Sequence, residues 1–130
     1  MTEANLLQLL DGCGATGHDR SVGVSGIAYR SDTVRQGDAF FCIPGFRHDG
    51  HDFAADAVAR GAAAVVCTRE QSLGVPEFVV PDTRQALAVA SARLHAEPSR
   101  ALDVVGITGP NGKTTTTYLL DSILRADGRT

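Results

Sequence analysis

The segment around Lys113 constrains the fold of this 130-residue chain more than any other. An apolar run at 103–108 leads into the turn Gly109-Pro110-Asn111-Gly112-Lys113, and an amphipathic run follows from about Thr114. Glycines permit a tight turn, and the free N–H groups and positive dipole end of a helix attract anions. Lys113 is also the only lysine among 12 basic side chains. The pattern predicts a strand, a phosphate-binding loop and a helix.

The residue types in this loop suit a nucleotide phosphate. Lys113 can reach the terminal phosphates as a compact point charge, and the Thr114 hydroxyl is placed to bind a magnesium ion. The loop departs from the strict G-x-x-x-x-G-K-[ST] pattern because Ile107 stands where the first glycine is needed. An incidental glycine-containing turn is therefore the alternative interpretation. The predicted nucleotide-binding residues are Gly109, Asn111, Gly112, Lys113, Thr114 and Thr115.

Apolar runs alternate with amphipathic runs along the rest of the chain, which favours an α/β fold with at least partly parallel strands. Asp82, followed by Gln85, resembles a capping box and predicts a helix up to about His95. Asp52 is expected to cap another helix, with Phe53 on its buried face. A short helix is also predicted over 5–10, and strands over 22–24, 27–29, 39–43, 63–67, 77–80 and 103–108.

A domain boundary is predicted near Pro98, where the helix pattern breaks. Residues 1–98 are long enough for a small domain, whereas 99–130 cannot enclose a core. We therefore expect 99–130 to be the beginning of a larger nucleotide-binding domain. Without neighbours, its strand would be an exposed edge, which predicts disorder, self-association or unusual docking of residues 100–130. The final helix is expected to bury Leu119, Leu120, Ile123 and Leu124.

Composition excludes several classes of partner. The net charge of −3 gives no general attraction to nucleic acid or to anionic membranes. No apolar run approaches the roughly 20 residues that span a bilayer, and the first ten residues lack the basic start of a secretory signal. The three unpatterned cysteines indicate reduced thiols, with Cys42 and Cys67 as core residues. A cytoplasmic protein that binds neither nucleic acid nor membrane is predicted.

Segment 105–117, VGITGPNGKTTTT, resembles the ATP loop of the Mur ligases, which are ATP-dependent amide-forming enzymes of peptidoglycan assembly. The family usually has Thr where this chain has Pro110. The upstream motifs GDAFF (37–41) and DGHDF (49–53) are similar to the family's first domain, and the resemblance covers about 22–126. It implies a small Mur-ligase-type N-terminal substrate domain at 1–98. The first strand, P-loop and helix of a P-loop ATPase domain would follow at 99–130.

The resemblance is greatest to members that add the third amino acid to UDP-MurNAc-L-Ala-D-Glu through an acyl phosphate. It implies ATP and Mg²⁺ as cofactors, and a UDP-MurNAc-peptide and an amino acid as substrates. Lys113 would be the catalytic residue that stabilises the transferring phosphoryl group, and Thr114 the metal ligand. The family's Asp-Ser-Arg motif is here Arg30-Ser31-Asp32. The substrate-binding residues implied are Ser31, Phe46, Arg47 and His48.

Two other functions stay open at this point. One is a sister ligase that adds the dipeptide or acts on folate, and the other is a non-catalytic module that binds a UDP-sugar. A metal site at His48, Asp49, His51 and Asp52 is disfavoured, because such sites need about three or four convergent ligands. We expect the 130 residues alone to be inactive, since no adenine pocket, amino-acid pocket or acidic magnesium ligand is recognisable in them.

Overall fold

The computed structural model describes residues 3–17 and 20–129 of the chain. Two compact units are present, Met1–Pro98 and Ser99–Thr130. The assignment of a substrate domain to 1–98 and of an ATP-binding domain to 99–130 stays a prediction. Within the described ranges, no helix combines the length and the apolar character needed to cross a membrane.

A parallel sheet forms the centre of the first unit. Its strands are β3 (Gly26–Ala28), β4 (Asp38–Phe41), β5 (Ala64–Cys67) and β6 (Glu77–Val79), hydrogen-bonded in that order and all parallel. In the register, Phe40 lies opposite Ala28 on one side and Val65 on the other. A separate antiparallel pair joins β1 (Ala4–Asn5) to β2 (Gly23–Val24). The predicted α/β class with parallel strands is confirmed.

Helices cover both faces of this sheet. The helices are α1 (Leu6–Leu9), α2 (Ala54–Ala59) and α3 (Thr83–Leu94), with 3₁₀ turns at Ser31–Thr33, Gly50–Phe53 and Pro98–Arg100. Because successive strand residues point to opposite faces, Phe41 and Val66 pack with α1 and α3, while Phe40 and Val65 pack with α2. All four of these side chains are fully buried. The result is a small three-layer domain.

Carboxylates cap two of these elements. The Oδ1 atom of Asp82 accepts hydrogen bonds from the N–H groups of Arg84 (2.8 Å) and Gln85 (3.1 Å), so the predicted cap of α3 is confirmed. The predicted cap at Asp52 is wrong. A 3₁₀ turn precedes α2, so the chain begins to coil earlier, and the side chain of Asp49 caps that turn by accepting from the N–H of His51.

The second unit consists mainly of helix α4 (Lys113–Ala126), as predicted. The predicted strand at 103–108 is wrong, because these residues have no regular secondary structure. A strand forms only against a neighbour that completes its hydrogen bonds, and the described part of this unit contains no other strand. For the same reason the predicted burial of Leu119 and Ile123 is wrong. These side chains are 61% and 65% exposed, while Leu120 and Leu124 are only partly buried.

Candidate functional site

A pocket of about 510 Å³ lies where loops leave the carboxyl ends of β3 and β4. In open sheets with parallel strands, ligands bind at this edge, because the loops and helix N-termini there surround a common crevice. This position makes the pocket the candidate ligand site of the first unit. It is lined by Tyr29, Arg30, Ser31, Asp32, Ile43, His48, Gly50 and Phe53.

Only two of the four predicted substrate residues line this pocket. Ser31 and His48 do, whereas Phe46 and Arg47 lie outside it at the tip of a tight hairpin. In this 44–49 hairpin, Pro44 bridges Asp49, and the Gly45 N–H donates to the His48 carbonyl at 2.9 Å. Phe46 is fully exposed at the tip. The sequence identified the right loop but not which of its side chains line the pocket.

Charged partners surround Ser31 at the rim of the pocket. Arg30 and Asp32 form a bidentate ion pair, with Nη2 to Oδ2 at 2.6 Å and Nε to Oδ1 at 3.1 Å. The hydrogen bonds from Arg30 lower the pKa of Asp32. A hydrogen bond from Ser31 and one from Arg60 lower the pKa of Asp56. The exchanged charges of the Arg30-Ser31-Asp32 motif therefore neutralise each other beside the serine.

Aromatic residues form walls of the pocket that the sequence did not reveal. Tyr29 directly follows β3 and is 59% exposed. Phe53 was expected in the core but is 41% exposed and contacts the ring of His48 edge to face, with centroids 6.1 Å apart. The one signal in the sequence that could have identified Tyr29 is its position directly after a strand of the parallel sheet. Aromatic walls with polar groups at the rim can hold a planar ring that carries charged substituents.

A buried histidine lies beside the hairpin. His51 is 2% exposed, and its Nδ1 lies 2.6 Å from Asp49 Oδ1. Its Nε2 accepts the Thr68 N–H at 3.0 Å, and Arg69 donates to Asp49 Oδ2 at 3.0 Å. The backbone N–H and imidazole of His51, and then Arg69, hold the pKa of Asp49 well below its usual range. Among the described residues, no group of three or more His, Cys, Asp or Glu could hold a metal ion.

The predicted phosphate loop depends on two glycines. Gly109 has φ +147° and Gly112 has φ +82°, which are backbone conformations that other residues rarely adopt. The Lys113 ammonium folds back over the loop and donates to the Gly109 carbonyl at 2.5 Å. Gly112 is the N-cap of α4 and its carbonyl accepts the Thr116 N–H at 2.9 Å. The glycines thus give the turn, and the helix begins at the lysine.

The start of α4 presents donors to a possible anion. The first N–H groups of a helix have no partner within the helix, which here applies to Lys113, Thr114 and Thr115. Together with the Lys113 ammonium they can bind an anion. Asn111, Thr114 and Thr115 are all exposed. The Thr114 hydroxyl could give Mg²⁺ one protein oxygen, and the ion's further ligands would be phosphate and water oxygens.

The cysteines are placed as structural residues. Burial raises the pKa of Cys42 to about 12 and that of Cys67 to about 11. Both thiols are free and fully buried, and Cys13 is also free. Since the thiolate is the reactive form, these raised pKa values leave the two buried thiols unreactive near neutral pH. The prediction that Cys42 and Cys67 are core residues is confirmed.

Comparisons with known proteins agree with the sequence pattern. The model of the Mur ligase family, catalytic domain, matches residues 23–103. The UDP-N-acetylmuramoyl-L-alanyl-D-glutamate--2,6-diaminopimelate ligase of Geobacillus thermodenitrificans is 47% identical over 96 residues, which are 74% of this chain and 20% of that protein. The chain thus spans about a fifth of the length of such relatives.

The fold of this chain is also similar to solved structures of Mur ligases. MurF from Acinetobacter baumannii matches with a TM-score of 0.70 and 31% identity, covering 97% of this chain and 29% of that one. MurF ligase from Thermotoga maritima in complex with ADP matches with a TM-score of 0.59 and 35% identity, covering 77% of this chain and 23% of that one.

Proposed function

Because the chain belongs to the Mur ligase family, we propose that it forms part of an ATP-dependent ligase that adds the third amino acid to UDP-MurNAc-L-Ala-D-Glu. The observation that carries this proposal is the 47% identity to a ligase whose name specifies this acceptor. The ligase of the same name from Aquifex aeolicus is 49% identical over 105 residues, which supports the same acceptor. The reduced thiols and the ATP requirement suit a cytoplasmic enzyme.

The pocket of the first unit is proposed to bind the UDP end of the substrate. The exposed ring of Tyr29 and the partly exposed ring of Phe53 offer apolar walls to the uracil. Arg47, on the nearby hairpin, offers a guanidinium group to the diphosphate, whereas Arg30 at the rim would reach it by exchanging the Asp32 carboxylate for a phosphate oxygen. The Ser31 hydroxyl supplies a further hydrogen bond. The aromatic walls and the Arg47 guanidinium on the adjoining hairpin support this assignment.

The loop of the second unit is proposed to bind the phosphates of ATP. Its amide N–H groups orient the anion, and the Lys113 ammonium exchanges the Gly109 carbonyl for a terminal phosphate oxygen. The substrate carboxylate attacks the γ-phosphorus with departure of ADP, and the amine then attacks the acyl carbon with departure of phosphate. Lys113 stabilises the negative charge of the transferring phosphoryl group. When bound with ATP beside Thr114, Mg²⁺ would neutralise further phosphate charge.

Calorimetry of the chain with each ligand tests this proposal. We expect wild-type protein to bind UDP-MurNAc-L-Ala-D-Glu, and to bind ATP with magnesium. Lys113→Met should weaken ATP binding about 10- to 100-fold, because a charge-assisted hydrogen bond is lost. Arg125→Gln is the matched control, since it removes an exposed cation from the far end of α4.

The outcomes separate the alternatives. Equal ATP binding by wild type and Lys113→Met would refute the role of the loop. Binding of the UDP substrate without ATP would indicate a non-catalytic UDP-sugar module.

A further inference from the structure

The buried His51 is not used by the proposed chemistry, yet both nitrogens of its ring are hydrogen-bonded. A backbone N–H can only donate, so the contact at 3.0 Å from Thr68 N makes Nε2 an acceptor. The ring proton therefore lies on Nδ1 and is donated to Asp49 Oδ1 at 2.6 Å. His51 thus links the segment after β5 to the base of the 44–49 hairpin, because it accepts a hydrogen bond from Thr68 and donates one to Asp49.

Asp49 transmits this connection to the hairpin. It forms the closing bridge with Pro44 and directly follows His48, which lines the pocket. Its carboxylate is held by the ring and the backbone N–H of His51 and by Arg69. These contacts tie the second strand of the hairpin to the end of the parallel sheet.

The first strand of the hairpin is anchored as well. Arg84, in the first turn of α3, donates from Nη2 to the Pro44 carbonyl at 2.6 Å. Both ends of a six-residue hairpin are therefore attached to rigid elements, although its tip at Phe46 is fully exposed. A loop with an exposed tip would otherwise have to be ordered when a ligand binds, which lowers affinity.

We propose that His51 is a positioning residue for the substrate. Through Asp49 it holds the 44–49 hairpin, and with it Arg47 and His48, in the binding conformation before the nucleotide arrives. This inference rests on the proposed UDP-binding role of the first unit. It predicts that His51 affects the affinity for the UDP-MurNAc-peptide without touching it.

Two substitutions of His51 separate its two bonds. The amide nitrogen of Asn occupies about the position of Nδ1, so His51→Asn keeps the donor to Asp49 and loses the acceptor for Thr68. The longer Gln places its amide near Nε2, so His51→Gln keeps the acceptor and loses the donor. Glu77→Gln is the matched control, because this buried carboxylate accepts the N–H groups of Gln71 and Leu73 and none from the hairpin.

The readouts are the affinity for UDP-MurNAc-L-Ala-D-Glu, hydrogen exchange of the Gly45 and Gly50 amides without ligand, and the stability to urea. We expect His51→Gln to bind about tenfold more weakly, with faster exchange at both amides. His51→Asn should recover part of this loss. Glu77→Gln should lose stability but keep the affinity and the exchange rates, once these are corrected for the stability change.

Each result bears on a different claim. Wild-type affinity and unchanged exchange in His51→Gln would overturn the inference, as would an equal loss of affinity in Glu77→Gln. If His51→Gln does not fold, Asp49→Ala decides, because it removes the same contact from the other side: weaker binding and faster exchange support the inference, and wild-type values overturn it. Wild-type protein that binds no UDP-MurNAc-peptide would refute the proposed function, and hydrogen exchange would still show whether His51 orders the hairpin.

Discussion

Gly50 should be the position of the first unit least tolerant of an added methyl group. Its N–H donates to the Ile43 carbonyl at 3.0 Å, so the two backbones lie side by side. A Cβ atom on residue 50 would lie 2.8 Å from the Ile43 oxygen and 3.0 Å from the Cys42 carbonyl carbon, with Ile43 N nearer still. Every one of these neighbours is backbone, and Cys42 is itself fixed by its N–H bond to Val66 at 2.8 Å.

The cost of Gly50→Ala follows from this geometry. The added carbon can be accommodated only if the chain moves away from Ile43, which lengthens their hydrogen bond. Overpacking of this kind costs about 1–3 kcal/mol. We expect the free energy of unfolding to fall by about 2 kcal/mol, and Tm to fall by roughly 8–16 °C for a unit of this size. Since Gly50 lines the pocket, affinity for the UDP substrate should also fall.

Urea unfolding followed by circular dichroism measures the effect. Gly23→Ala is the matched control in the same unit, because the atoms nearest to its added Cβ all belong to the flexible Glu3 side chain. The control should change the free energy of unfolding by no more than about 0.5 kcal/mol. If Gly50→Ala proves as stable as Gly23→Ala, the close approach of the two backbones is not real and the pocket geometry built on it fails.

Two further predictions concern buried polar groups. Among the described residues, the Thr83 hydroxyl oxygen is buried without a hydrogen-bond partner, so Thr83→Val should leave the free energy of unfolding unchanged or raise it by up to about 1 kcal/mol; a clear loss in urea unfolding would show a partner. The lowered pKa of Asp49 stabilises the fold above the unfolded pKa of about 3.9 and ceases to do so as the pH falls below it. Asp49→Asn should therefore be less stable than wild type at pH 7 and approach it as the pH is lowered below about 4; a stability difference independent of pH would contradict the hydrogen bonds from His51 and Arg69 as the cause of the lowered pKa.

Local signals predicted much of the first unit. The apolar runs at 39–43, 63–67 and 77–80 overlap strands β4, β5 and β6, and Asp82 caps the helix that follows. These features depend on neighbours along the chain, namely strand alternation and a carboxylate near free N–H groups. The positive φ angles at Gly109 and Gly112 likewise agree with a turn that was predicted from glycine alone.

Non-local contacts explain the wrong predictions. The run at 103–108 has the composition of a strand, but a strand requires a partner, and Val104 is 72% exposed here. Phe53 is a large apolar residue of the kind that usually lies in a core. Its position at the carboxyl edge of the sheet instead places it in the wall of the pocket. Apolar character indicates that a residue can be buried, and only the neighbouring elements determine whether it is.

The sequence alone therefore determined the α/β class, the Asp82 cap of α3, the glycine turn before Lys113 and the resemblance to Mur ligases. Only the tertiary structure decided which side chains meet at the pocket and that His51 lies between Asp49 and Thr68, the latter 17 residues away. The physical reason is that a turn or cap involves a few consecutive residues. The meeting of His51 with Thr68 depends instead on the register of β4 against β5, which the packing of the whole sheet sets.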